Sequence, residues 1–289
     1  MELKHIASRS GRLSSFLKEE MAMSTGLMNR LKWQDKLFVN GIPVHTDYAV
    51  LPGDVITVPL NEEKADYPAQ DGPLDILYED EHLLAVDKPA GMLVHPSRAQ
   101  NENTLANFVQ GYYRRTGQAS AFHPITRLDR DTYGVVLLAK NAHVHALLTA
   151  QQEQGLIRKT YHALVLGGPE TDSGIIDAPI ARRELPSLQR YVNQQVKPSR
   201  RHYHVLERFT DTSLLALRPI TGRTHQLRVH CAHMGFPILG DPQYCSEASA
   251  AYSAELKLRS QLLCAKELTL PHPITGEPLT ITSRQTAHF

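Results

Sequence analysis

From Thr126 to Gly134 the chain reads Thr126-Arg127-Leu128-Asp129-Arg130-Asp131-Thr132-Tyr133-Gly134, two carboxylates interleaved with two guanidinium groups. A carboxylate kept ionised by a neighbouring cation can act as a nucleophile or as a general base. The apolar, β-branched run Val135-Val136-Leu137-Leu138-Ala139 follows at once, the pattern of a short core strand. A charged turn at the mouth of such a strand presents reactive groups on a rigid support, and it can equally be a plain surface ion pair. Asp129 and Asp131 on an extended turn would share a face, as the paired carboxylates of a glycosidase do. Asp131-Thr132 also suits a turn cap.

Three other segments carry comparable groups. Asp87-Lys88-Pro89-Ala90-Gly91 is a rigid turn after a strand pattern, with polar groups expected to face outward. Arg158-Lys159-Thr160-Tyr161-His162-Ala163 leads cations and a tyrosine into a strand, where a tyrosine is ordinarily a core or rim residue. In Arg218 to His230, Thr221-Gly222 marks a turn and a helix is expected over 224–233. Arg223 would then stand at a helix N-terminus, where the dipole disfavours a cation unless a carboxylate or anionic ligand accompanies it. Asp129 is the natural candidate. His225, His230 and His233 are spaced i, i+5, i+8, which does not place all three squarely on one helix face, so no metal site is expected. No Gly-rich phosphate loop, GxSxG or dinucleotide fingerprint occurs, and no cofactor is implied.

The elements that must position these groups fit a chain of 289 residues with 42% apolar and 21% charged content, ordinary for a globular protein. Three cysteines without a CxxC pair suggest neither a disulfide framework nor a zinc ribbon and fit a reducing cytoplasm. No apolar run is long enough for a signal peptide or membrane span. The net charge is +1, but 181–230 holds ten Lys or Arg against three acids, whereas 61–80 holds seven acids and one lysine. A basic stretch in a neutral protein points to a local anionic partner such as nucleic acid phosphates, or to a solvated face.

Along the chain, 1–60 reads as a small unit of two helices, an Asn40-Gly41 hairpin and a last strand from Val55 to Pro59. Ser14 or Ser15 could cap the first helix and Ser24 the second, which runs to Trp33. The acidic, Pro-containing 61–73 reads as a linker. The remainder, 74–289, alternates short strands with helices at 104–116, 142–152 and 224–233, and closes with a hairpin around Pro271 to Gly276. Strands joined by short turns favour α+β, with a mixed, mostly antiparallel sheet and a small N-terminal α/β domain.

Taken together, these segments resemble the RluA family of pseudouridine synthases. The matching pieces occur in family order: Lys88-Pro89-Ala90-Gly91, Arg127 to Gly134, Lys159-Thr160-Tyr161, Gly222 to Arg228, and Pro237-Ile238-Leu239-Gly240-Asp241. The 1–60 unit is similar to the alpha-L RNA-binding fold that some members carry, through Phe38 to Gly41 and Pro52 to Val58. Thr126 and Tyr133 depart from the residues usual at those places. The resemblance implies an isomerase that turns uridine of ribosomal or transfer RNA, ribosomal favoured, into its C-glycoside, with no cofactor, metal or required protein partner. It implies Asp129 as the catalytic carboxylate at C1′ or C2′, Arg223 as the cation that keeps it ionised, and Tyr161 stacked on the flipped base. Arg127, Arg130, Lys88, Lys159 and Arg228 would bind substrate, and Arg30, Lys32 and Lys36 would serve the N-terminal RNA contact. A non-catalytic RNA-binding or assembly protein is the alternative.

Overall fold

The computed structural model describes residues 2–60, 67–97, 99–182, 189–193 and 199–287. In the first of these ranges Glu2–Ile6, a strand not expected from the sequence, pairs antiparallel with Val55–Pro59, which also pairs with Phe38–Val39 of the hairpin. Asn40 and Gly41 both have positive φ, 52° and 78°, as a two-residue hairpin turn requires. The Thr25–Trp33 helix begins as expected: the Ser24 side chain accepts the Leu27 N–H at 3.2 Å. The first helix differs. It is a three-residue turn, Leu13–Ser15, that widens into a π-turn over Phe16–Glu20, and no side chain caps it. Leu13, Phe16, Leu17, Leu31, Leu37, Val39, Ile56 and Val58 form one buried cluster.

The rest is built on a ten-stranded sheet. Its main path runs Ser173–Asp177, Arg200–Arg208, Thr212–Pro219, Arg158–Leu166, Leu263–Pro271, Tyr133–Ala139, Leu83–Lys88, Ile76–Glu79. Every neighbouring pair is antiparallel except Tyr133–Ala139 with Leu263–Pro271, which run parallel. The class is therefore α+β with a mixed, mostly antiparallel sheet, as expected. Helices Leu105–Arg115 and Ala142–Glu153 lie in the places foreseen, whereas the strand Ser173–Asp177 and the helix Glu247–Glu255 carry too little pattern to be read in advance.

Residues 61–66 of the expected linker lie outside the described residues, but 67–73 are packed. The Gln70 N–H donates to Asn107 O, Asn107 Nδ2 donates to Pro68 O, and Asp71 pairs with Arg115 at 3.0 Å. Part of the stretch taken for a spacer thus belongs to the Leu105–Arg115 helix face. Arg183 and Lys197 of the basic stretch also fall outside the described residues. Among the described residues no helix is long and apolar enough to cross a membrane.

Candidate active site

Asp129 opens the turn that feeds the Tyr133–Ala139 strand. The Thr132 N–H donates to the Asp129 carbonyl at 3.2 Å, and Thr132 Oγ1 accepts from Gln261 Nε2 at 2.7 Å. Two residues on, Gly134 has φ 108° and lies against Ala265 of the parallel strand, where a Cβ would meet the Ala265 carbonyl oxygen at 2.4 Å. Thr126, one of the two unusual residues, is buried with its Oγ1 accepting the Leu137 N–H at 2.9 Å; Tyr133, the other, donates its O–H to Thr286 O. Both serve to pin the turn and strand.

Lys88 pins the same turn from below. It is fully buried, and its ammonium donates to the carbonyls of Pro89, Met92 and Arg130 at 2.9, 2.8 and 2.9 Å. Burial pushes its pKa down to about 8, against the pull of Asp131 and Asp129. Its expected role as a substrate ligand is corrected: with all three donors committed to backbone, it is a strut under the loop that carries Asp129.

The partner of Asp129 also differs from expectation. Arg228, not Arg223, reaches it: Arg228 Nη1 lies 3.1 Å from Asp129 Oδ2. The other edge of the guanidinium is held bidentate by Asp241, Nε to Oδ2 at 2.7 Å and Nη2 to Oδ1 at 2.8 Å. Arg228 is 7% exposed, the Asp241 side chain 0% and the Asp129 side chain 31%, so the triad runs from the interior to the cavity wall. Burial works against the Arg228 charge, but the two carboxylates outweigh it and raise the pKa further. The helix starts at Gln226, two residues later than the sequence suggests, because His225 adopts φ 56°. Arg223 is left on the exposed loop ahead of the helix, and among the described residues no carboxylate pairs with it. The signal for Arg228 is a cation flanked by Leu227 and Val229, which calls for a buried carboxylate where that helix packs. Asp241 stood in a motif without an assigned role.

A cavity of about 490 Å³ opens over Asp129. Arg127, Lys159, Tyr161, Arg223, His225 and Arg228 line it, so the sheet, the Asp129 turn and the helix start converge there. Lys159 and Tyr161 lie two apart on the Arg158–Leu166 strand, beside a register slip between Thr160 and Tyr161. Lys159 Nζ donates to Gln152 Oε1 at 3.1 Å, and burial pushes its pKa down to about 8. Burial, reinforced by the Asp129 charge, raises the Tyr161 phenol, which therefore stays protonated at neutral pH. Arg130 points away, 62% exposed and paired with Asp131 at 3.3 Å. That pairing breaks the symmetry between the two carboxylates: Asp129 faces the cavity, Asp131 the surface ion pair. His230 is turned into the core, where its Nε2 lies 2.8 Å from Ala178 O. In the N-terminal unit, Arg30 is exposed on the second helix, Lys32 lies 5.8 Å from the Trp33 ring and Lys36 is half-buried beyond it.

Comparison with known proteins supplies the remaining observation. Residues 82–233 match the family model described as RNA pseudouridylate synthase. The chain is 36% identical over 249 residues to the ribosomal large subunit pseudouridine synthase D of Pseudomonas aeruginosa, covering 83% of this chain and 78% of that one. It is 32% identical over 290 residues to the ribosomal large subunit pseudouridine synthase C of Vibrio cholerae, covering 96% and 90%. Among solved structures, the fold is shared with human RNA pseudouridylate synthase domain containing 1, at a TM-score of 0.62 and 24% identity over 75% of this chain and 86% of that one.

Proposed function

The chain belongs to the RNA pseudouridylate synthase family, and from that premise we propose that it isomerises uridines of large-subunit ribosomal RNA in the cytoplasm, with Asp129 as the reacting carboxylate. The names of its relatives support that substrate. One observation carries the role of Asp129. It is the carboxylate in the cavity whose Oδ2 is held by a buried, doubly paired arginine, while among the described residues no hydrogen bond reaches its Oδ1. Oδ1 is then the oxygen left to meet the sugar at C1′ or C2′. Arg228 holds the carboxylate in place beside a fixed positive charge, which an exposed cation on a long solvated side chain would do poorly.

The remaining residues divide by exposure. The target uridine must leave its stack, at a cost of about a few kcal/mol. Arg127 and Arg223, exposed at the cavity rim, and Lys159 inside it offset that cost by binding phosphate and ribose oxygens. Tyr161 stacks on the base as a neutral phenol. The 1–60 unit, with its own buried cluster, is a separate RNA-binding domain, and 67–289 form the catalytic one. Arg30 and Lys32 would contact phosphate there, and Trp33, 82% exposed, offers a face on which an unpaired base can stack. Replacing Arg30 and Lys32 together by Glu should weaken binding of ribosomal RNA and lower its salt dependence by about two counterions, as read by filter binding across a salt series.

The decisive test is Asp129→Asn. Release of tritium from RNA labelled at uridine C5 should fall by at least about a thousandfold, with RNA affinity nearly kept. Turnover near the wild-type rate would remove Asp129 from the mechanism.

A further inference from the structure

His225 stands beside Asp129, against the same carboxylate oxygen that Arg228 holds. Its φ of 56° is unusual for a side chain larger than glycine and persists only where surroundings fix it. The group its side chain meets is Tyr244. His225 Nδ1 lies 2.8 Å from Tyr244 Oη, the two rings meet edge to face at 5.6 Å, and the Arg228 guanidinium stands 5.0 Å over the Tyr244 ring. Tyr244 Oη accepts the backbone N–H of Arg190 at 2.9 Å, and the Tyr244 N–H donates to Asp241. His225 Nε2 lies 3.8 Å from Asp129 Oδ2, the oxygen that Arg228 holds.

We propose that His225 and Tyr244 are positioning residues for Asp129: Tyr244 donates its O–H to Nδ1, and the neutral Nε2–H imidazole so selected faces Asp129 Oδ2. This rests on the reading of Asp129 as the reacting carboxylate. A phenol has one hydrogen, and with the Arg190 N–H already directed at its oxygen, that hydrogen is available for Nδ1. A neutral N–H orients the carboxylate without cancelling its charge. An imidazolium in the same place would be a second cation on Asp129 and would blunt it as nucleophile or base. The surroundings favour the neutral ring: burial acts most strongly, and Arg228 on the helix and Arg190 on the facing hairpin act with it, against Asp129 and Asp241. Two side chains at the start of one helix, the residue ahead of it and one in its first turn, thus close on one oxygen, and among the described residues no hydrogen bond reaches the other.

The test is the pH dependence of kcat for tritium release from total RNA, taken from a strain lacking the gene and labelled at uridine C5. His225→Gln keeps an N–H near the Nε2 position but cannot titrate. It should hold kcat at neutral pH within about tenfold of wild type, and the acid limb should move to lower pH. Tyr244→Phe withdraws the donor that favours the neutral ring, so the acid limb should move to higher pH, with kcat reduced more than KM is changed. Damage to packing alone would lower both profiles without moving them in opposite directions. An unmoved acid limb in both variants, or a shift of the same sign in both, overturns the proposal. If His225→Gln does not fold, the Tyr244→Phe limb decides it alone: upward supports, unmoved or downward overturns. An active Asp129→Asn would overturn the underlying reading instead, whereas an inactive Asp129→Asn with unmoved limbs would overturn only this one.

Discussion

The guanidinium that matters to Asp129 is set by which arginine is buried, not by which stands closest to a turn. Arg223 and Arg228 are five residues apart and chemically alike, yet one has solvent around it and the other has two carboxylates. A buried arginine must be paired, and its planar fork can serve Asp241 with one edge and still extend a third N–H to Asp129. Lysine cannot reproduce that geometry. Arg228→Lys should lower kcat by about a hundredfold or more and leave Asp241 underpaired in the core, while Arg223→Ala should raise KM with a much smaller effect on kcat. Steady-state kinetics on labelled RNA separate the two. Equal losses in kcat for both variants would contradict this assignment.

At the level of elements, the site depends on the single parallel pairing in an otherwise antiparallel sheet. Tyr133–Ala139 can lie beside Leu263–Pro271 only because Gly134 leaves room for the Ala265 backbone at a φ that L side chains avoid. The Asp129 turn hangs directly from that contact. Gly134→Ala should therefore cost at least about 2 kcal/mol in urea unfolding and reduce activity beyond that, because the turn moves with the strand. A wild-type midpoint would show that the contact can relax. The motif glycine was readable in advance, but its reason was not, since Ala265 lies 131 residues along the chain. The late start of the Gln226–His233 helix is similar. Periodicity places the helix, whereas the left-handed residue ahead of it meets Tyr244 from another segment.

Among the described residues, several histidines across the molecule are buried or half-buried with their charged form disfavoured. Burial lowers the pKa values of His82, His95, His143, His145, His225 and His230. His230, fully buried against Ala178 O, is pushed down to about 4. The unfolded chain binds a proton at that site below the ordinary histidine value and the folded chain does not, so stability present above pH 6.5 is lost as pH falls towards 4. For His230 alone the loss is about 3 kcal/mol. Urea midpoints should fall steeply over that window, and His230→Gln, which keeps a donor for Ala178, should flatten the slope. An unchanged slope would mean that His230 titrates normally in the fold.

The sequence by itself determined the class, the order of the main elements and the segments that meet at the site, because strand alternation, helix period and turn residues are local properties. Residue type marked the turn from Arg127 to Asp131, and the family resemblance pointed to Asp129 within it. The sequence could not tell Asp129 from Asp131 by residue type, could not choose Arg228 over Arg223, and took Lys88 for a ligand. The first of those choices rests on the partner each carboxylate meets, since both are about equally exposed, and the other two on what the fold excludes from water. Burial converts Lys88 into a strut, commits Arg228 to two carboxylates and leaves Arg223 to the solvent, and burial is a property of the packed chain rather than of any stretch of it.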